Sequence, residues 1–217
     1  MAHTMTHSDS ATRQQLLQAA LKSFANRGYA AASVQEIVDA ARVSKPVLYY
    51  YFADKAQLYE ALVDLAHDER YRLMCEAVER VADLATQLIE ILTSLFEYLP
   101  KNRELMRLAF ATAFAAPGEV PEGLRHFEKC ERNFEFIHDL MKRGQADGVL
   151  DKRFASEKLA YGFYGLLNAY LVSQLLMPEC VLDRGAAEEI TRLFLEGARP
   201  RVREANGSRK RNGATIL

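Results

Sequence analysis

The chain has 217 residues, of which 49% are hydrophobic and 26% charged, with 11 glycines and 6 prolines. That is long enough to bury a sizeable core and excludes a disordered or low-complexity chain; few turn residues and few alternating β-branched runs argue for an all-α fold. The net charge of −1 hides an asymmetry: residues 1–56 carry 6 basic and 4 acidic side chains (net +2), residues 57–200 carry 17 and 24 (net −7), and residues 201–217 carry 5 and 1 (net +4). An acidic body repels phosphate, so any contact with a polyanion would belong to the N-terminal part. Met1 to Ser10 is polar and lacks the apolar run of a signal peptide. The longest apolar stretch, Leu166 to Met177, is interrupted by Asn168, Ser173 and Gln174 and is too short to span a bilayer. Cys75, Cys130 and Cys180 are odd in number and far apart. They read as reduced thiols, so the expectation is a cytoplasmic protein without a membrane partner.

In chain order, the most informative stretch is Ser33 to Phe52. Ser33 and Glu36 form a capping box, the hydroxyl accepting the Glu36 N–H and the carboxylate reaching back to the N–H of Ser33. Ile37, Val38, Ala40 and Ala41 give that helix an apolar face, and Arg42 and Val43 make a turn. Ser44 is a second N-cap, and Pro46 falls in a first turn, where it does little harm. Leu48 and Phe52, at i and i+4, face the core together. Tyr49, Tyr50 and Tyr51 span too much of the helix circumference for all to be core. Asp54 caps the next helix, with Lys55 in its first turn against the dipole preference; a nearby phosphate would account for that placement. Two short helices joined by a tight turn, the second polar, basic and aromatic, match a helix-turn-helix that lays its second helix in a DNA major groove. The alternative is an ordinary helical hairpin with solvated tyrosines.

Val43-Ser-Lys-Pro-Val-Leu-Tyr-Tyr-Tyr-Phe-Ala-Asp-Lys55 resembles the recognition-helix signature of tetracycline-repressor (TetR) family regulators. Ala19-Ala-Leu-Lys-Ser-Phe-Ala-Asn-Arg-Gly-Tyr29 resembles the first helix of that family with its Gly-aromatic exit, and Leu58-Tyr-Glu-Ala-Leu62 the start of the connecting helix. The resemblance covers roughly Arg13 to Leu62. Pro46 departs from it, since glycine is common there; this bears on backbone approach to DNA rather than on the fold.

Beyond residue 57 the sequence reads as long amphipathic helices: Asp54 to about Val81, with Leu58, Leu62, Leu65, Leu73 and Ala77 on one side; Asp83 to Tyr98, ended near Pro100; and a helix capped by Asn102 running to about Ala115. Ala116 to Gly123 is a loop by composition. Helices follow from about Leu124 to Ala146, stopped by Asp147-Gly148, then from Ser156 to about Leu176 and from Arg184 to Arg199.

Three features of this body bear on function. Phe127, Cys130, Phe134, Ile137 and Met141 share one helix face, which by itself reads as core. The resemblance implies a ligand pocket in the body, with Met74, Phe110, Phe114, Phe127, Phe134, Phe163 and Asn168 as candidate lining; Asn168 is the polar candidate, since a buried amide needs a partner. His126, Cys130 and His138 lie on one stripe, and His126 with Cys130 could grip a soft metal; that pair lacks a third and fourth ligand, so the histidines read instead as a solvated pair and no metal or cofactor is expected. The last two helices are rich in apolar residues, which is either core or a subunit interface. The resemblance favours a four-helix dimer contact through Phe163, Leu166, Tyr170, Ile190 and Phe194. No P-loop, nucleophile elbow or paired catalytic carboxylates are present, which argues against an enzyme.

The sequence therefore predicts an all-α homodimer. An N-terminal three-helix helix-turn-helix DNA-binding domain (10–56) is followed by a C-terminal helical bundle for ligand binding and dimerisation (57–200) and a basic tail (201–217). Double-stranded DNA carrying a pseudo-palindromic operator is the expected partner. Ser44, Val47 and Tyr50 are expected near base edges, Lys45, Tyr49 and Lys55 on phosphates or groove edges, and Ser33 at a helix N-terminus facing a phosphate. The expected action is repression, relieved by a small hydrophobic effector. The alternatives are an activator, or a helical small-molecule or metal-binding protein whose helix-turn-helix does not read DNA.

Overall fold

The computed structural model describes residues 7–122, 124, 127–177 and 179–199, with His7, Ser8 and Phe127 described by backbone only. Among them run nine helices: α1 (His7–Ala31), α2 (Val34–Ala41), α3 (Lys45–Tyr51), α4 (Lys55–Glu79), α5 (Leu84–Lys101), α6 (Arg103–Ala113), α7 (Phe127–Ala146), α8 (Ser156–Leu176) and α9 (Arg184–Ala198). The β pairing among the described residues is one isolated bridge, Pro117 to Val120, inside the loop after α6. The basic tail and His126 lie outside the described residues.

Local chemistry sets most helix ends. Gly28 near the end of α1 has φ 74° and ψ 168°, a conformation open to glycine, and turns the chain toward α2. Gly148, with φ 77°, follows α7 as the Asp147-Gly148 pair requires, and the Val149 N–H returns to the Gly144 carbonyl at 2.9 Å. Asp54, Asp83 and Asp183 cap α4, α5 and α9 by accepting the N–H groups of Gln57, Thr86 and Ala186.

Several sequence expectations need correction. The Ser33 hydroxyl accepts the Glu36 N–H (3.2 Å), but the Glu36 carboxylate pairs with Arg27 Nη1 (2.6 Å) rather than closing the capping box. Ser44 occupies the N-cap of α3, yet its hydroxyl makes no cap hydrogen bond. Pro100 does not end α5: it lies inside the last turn, and the helix continues to Lys101. Asn102 caps α6 by position only, its side-chain N–H donating instead to the Tyr98 carbonyl. The face of α4 is rotated from the expected one, so that Leu65 is exposed while Val63, Ala66 and Arg70 are buried.

Two hydrophobic cores result. The first joins Leu16, Ala20 and Phe24 of α1, Ile37 and Val38 of α2, and Leu48 and Phe52 around α3 to Leu58, Leu62, Val63 and Ala66 of α4. It also takes Leu105 and Leu108 from α6. The second is built from Met74 and Ala77 of α4, Met106 of α6, and the inner faces of α5, α7, α8 and α9. The expected boundary at residue 56 follows the charge pattern; the first core extends further, through the first half of α4 and one side of α6.

On the outside of α4, ion pairs tie it to α7. Asp68 receives Lys129 Nζ at 2.7 Å and Arg132 Nη2 at 2.9 Å, and Lys129 also reaches Asp64 at 3.2 Å. Burial favours the protonated Asp68 carboxyl, but the hydrogen bonds and charges of the two cations outweigh it and hold the group below its usual range. A depressed folded-state value gives stabilisation that is complete above the ordinary carboxylate range and lost as pH falls through the lower folded value. Asp68→Asn should therefore lower the urea midpoint at neutral pH, and its gap from wild type should close as pH is lowered from about 6 to about 3. A gap independent of pH would mean that the ion pairs contribute nothing.

Candidate functional site

The turn between α2 and α3 is formed by Arg42, which adopts φ 56° and ψ 41°, while the Val43 N–H returns to the Val38 carbonyl at 3.0 Å. This closes α2 and fixes the angle at which α3 leaves it. Leu48 (0% exposed) and Phe52 (2%) then anchor one side of α3 in the first core. The opposite side faces solvent: Ser44 and Lys45 are exposed, Val47 is half-buried, and Tyr49 and Tyr50 are 51% and 64% exposed. Two large exposed aromatics beside a lysine on a seven-residue helix stand outside the core. Tyr51 turns back instead, its hydroxyl donating to Asp9 at 3.1 Å and its ring edge-on to Tyr50.

Two expected contact residues are otherwise engaged. The Ser33 hydroxyl is committed to the cap of α2. The Lys55 ammonium donates to the carbonyls of Tyr29 (2.8 Å) and Ala32 (3.0 Å) and lies 4.4 Å from the centre of the Tyr29 ring. The end of α1, rather than a phosphate, explains a lysine in the first turn of α4: it satisfies carbonyls beyond the Gly28 bend.

In the body, the candidate lining residues divide. Met74 and Phe163 are wholly buried in the second core. Phe114 is 88% exposed at the C-cap of α6 and does not line the interior, contrary to expectation. The Phe127 side chain lies outside the described residues. Phe110 and Asn168 meet at a residue that the sequence reading passed over, Arg70. Its side chain is 5% exposed. Nη2 donates to Asn168 Oδ1 at 3.0 Å, and the guanidinium carbon lies 5.7 Å from the Phe110 ring centre and 5.5 Å from that of Tyr164. Asn168 in turn donates to the Tyr164 carbonyl at 2.8 Å, and the Phe134 ring packs edge-on to Tyr164, centroids 5.9 Å apart.

One turn before Arg70, the His67 carbonyl accepts from the fully buried Asn133 amide (3.2 Å), and Cys130 Sγ lies 3.5 Å from His67 Nε2. Burial pushes the Cys130 thiol up, with the Arg70 charge opposing it. Among the described residues no group of three or more His, Cys, Asp or Glu side chains could hold a metal. The polar side chains were legible in one respect: His67 and Arg70 interrupt a buried stripe of Val63, Ala66, Met74 and Ala77 at spacings of three and four.

The last two helices also correct the interface expectation. Phe163 (0% exposed) and Ile190 (3%) belong to the protomer's own core, where Phe163 packs edge-on against Phe194. Leu166, Tyr170 and Phe194 are half-buried. The exposed apolar positions are Tyr161 (55%) and Leu176 (76%) on α8 and Leu193 (60%) on α9, with open space over Gly165 and Gly197.

A helix-turn-helix pinned to an all-helical body by one long helix is the architecture of a regulator that joins DNA binding to a second domain. The family described as bacterial regulatory proteins, tetR family, matches residues 16–62. The chain is 37% identical over 188 residues to a probable HTH-type transcriptional regulator, ArpR of Pseudomonas putida, covering 82% of this chain and 87% of that protein. It is 34% identical over 132 residues to the HTH-type transcriptional activator FasR of Mycolicibacterium smegmatis, a match spanning 60% of this chain but only 59% of FasR. Among solved structures, a TetR family transcription regulator from Marinobacter aquaeolei VT8 superposes with a TM-score of 0.72 at 22% identity, covering 91% of this chain and all (100%) of that one. The chain belongs to the TetR family of bacterial transcriptional regulators, and is a DNA-binding protein of that kind. Among the described residues no helix is long and apolar enough to cross a membrane.

The engagement of Lys55 has a measurable outcome. Lys55→Ala should lower stability by about 1–3 kcal/mol, read as a shift in denaturation midpoint, because carbonyls lose a charged donor. The salt dependence of DNA binding should stay as in wild type. A salt slope reduced by about one unit at unchanged stability would return Lys55 to a phosphate.

Proposed function

We propose that this protein is a homodimer that reads a pseudo-palindromic operator through α3 and is released from it by a small, largely apolar effector held in the helical body. The observation that carries the reading is the sidedness of α3: Leu48 and Phe52 are anchored in the core while Ser44, Lys45, Tyr49 and Tyr50 are presented to solvent. Lys45 and Tyr49 fit phosphate contacts that set register. Ser44, Val47 and Tyr50 fit base edges: the free Ser44 hydroxyl donates or accepts, and the Val47 methyls suit a thymine methyl. Lys55 leaves this set, and Ser33 contributes through the start of α2 rather than through its hydroxyl.

The dimer reading moves outward from the expected residues to the exposed seam of Tyr161, Gly165 and Leu176 on α8 with Leu193 and Gly197 on α9. Small residues there allow helices to approach closely. A two-fold contact at this end would place two α3 helices on one DNA face, where major grooves recur every 34–36 Å or so. The lever between effector and operator is α4, which enters both cores. An effector that favours the DNA-incompetent state by about 1–3 kcal/mol shifts operator occupancy roughly 5- to 150-fold, and DNA weakens effector binding by the same factor.

Lys45→Ala and Tyr50→Ala should each weaken retardation of the gene's own upstream DNA by about tenfold, at unchanged melting temperature. Full affinity in both variants would remove α3 as the reading helix. Activation is the second reading, favoured by the activator function in FasR's name; loss of the gene should raise transcription from a repressed neighbour and lower it from an activated one. Leu193→Glu should convert the dimer to monomers in light scattering and weaken DNA binding with it. An unchanged mass would move the interface elsewhere.

A further inference from the structure

Arginines with structural roles in this protein are met by acceptors that match them. Arg72 pairs with Glu69 and Glu76, Arg132 with Asp68, Arg184 with Glu90, and Arg103 donates to the Gln174 and Leu175 carbonyls near the end of α8. Arg70 is 5% exposed; like Arg103 it meets a neutral amide oxygen, but unlike Arg72, Arg132 and Arg184 it meets no carboxylate among the described residues. Its hydrogen bond goes to a neutral amide oxygen, Asn168 Oδ1, and its buried Nε–H has no partner among the described residues; Arg132 Nε is likewise unpartnered, but there Asp68 meets the charge. Guanidinium stays protonated at any physiological pH, so the charge cannot be shed. Two aromatic faces at 5.7 and 5.5 Å offset part of the desolvation cost without replacing a counter-ion.

A contact between α4 and α8 alone would be met more cheaply by an apolar pair. The unused Nε–H is the donor with which guanidinium grips a carboxylate along its side edge. The surroundings are apolar and aromatic on α6 and α8, through Phe110 and Tyr164.

We propose that Arg70 is the head-group site of the effector, and that the effector is an amphiphilic carboxylate: one anionic group held by Arg70 with Asn168 orienting it, and an aryl or alkyl body against Phe110 and Tyr164. This rests on the reading of the helical body as an effector-binding domain, and it adds a charge requirement to an effector otherwise described as apolar. The ligand supplies the counter-ion that the described residues withhold. Because Arg70 lies on α4 between residues of the two cores, Ala66 and Met74, filling the site acts on the helix that carries the response.

The test is calorimetry on the full-length protein with naphthoate and octanoate against their neutral amides, naphthamide and octanamide. At least one acid should bind wild type about tenfold or more tightly than its amide and raise its melting temperature. In Arg70→Met the ratio should fall to near one; Arg70→Lys should keep a preference for the acid at weaker affinity. Equal affinities for acid and amide in wild type, no binding of either acid, or a preference that survives in Arg70→Met would each overturn the assignment. An Arg70→Met protein that fails to fold would give the charge a structural role and overturn it as well. Retardation of upstream DNA by ligand-free wild type separates the two readings: retardation without acid preference sinks the anion site alone, and acid preference without retardation sinks the regulator's operator reading alone.

Discussion

The buried face of α4 runs the length of the helix, apolar toward both ends and polar at His67 and Arg70, and its two apolar halves belong to different cores. Leu58, Leu62, Val63 and Ala66 pack with the helix-turn-helix; Met74 and Ala77 pack with α5, α7 and α8. A helix is stiff along its axis, so a displacement imposed on one half reaches the other without needing a chain of side-chain rearrangements. α6 repeats the arrangement at smaller scale, with Leu105 and Leu108 on one core and Met106 on the other. Tyr59 and Thr112 join the two linking helices through a 2.8 Å hydrogen bond between their hydroxyls. The DNA-facing unit is therefore not a bead on a string: part of its own core is supplied by helices that belong equally to the body.

Polar groups cluster where the two apolar faces of α4 meet. His67 and Arg70 occupy that junction, with Asn133 and Asn168 reaching toward it from α7 and α8. Buried polar groups concentrate specificity because each unmet donor or acceptor carries a cost that packing cannot remove. Apolar cores elsewhere in the chain hold the helices together, and this junction decides which neighbours they accept.

Most of the fold was legible in the sequence because helix ends are written in short-range chemistry. Asp54, Asp83 and Asp183 cap as such residues do, and α8 spans Ser156 to Leu176 as its pattern implied. The errors arose where a side chain had two possible partners. Glu36 chose Arg27 over the backbone of Ser33, and Lys55 chose the end of α1, 23 to 26 residues earlier in the chain. Nothing local distinguishes these outcomes. Phe163 and Ile190 were placed at an interface because an apolar helix face does not reveal whether it meets the protomer's own core or a second chain. Arg70 was overlooked for a different reason: charged residues are assigned to solvent by default, and only the convergence of Phe110 from α6 with Tyr164 and Asn168 from α8 encloses it.

The double employment of α4 and α6 also sets which parts of the protein are free to change. A substitution at Leu62, Ala66 or Leu105 disturbs the unit that faces DNA and the helices that frame the body together. Tyr164 and Phe134, on α8 and α7, touch the Arg70 neighbourhood without entering the first core. Under the proposed effector site, substitutions along α7 and α8 can retune the Arg70 neighbourhood while the core that holds α3 stays untouched.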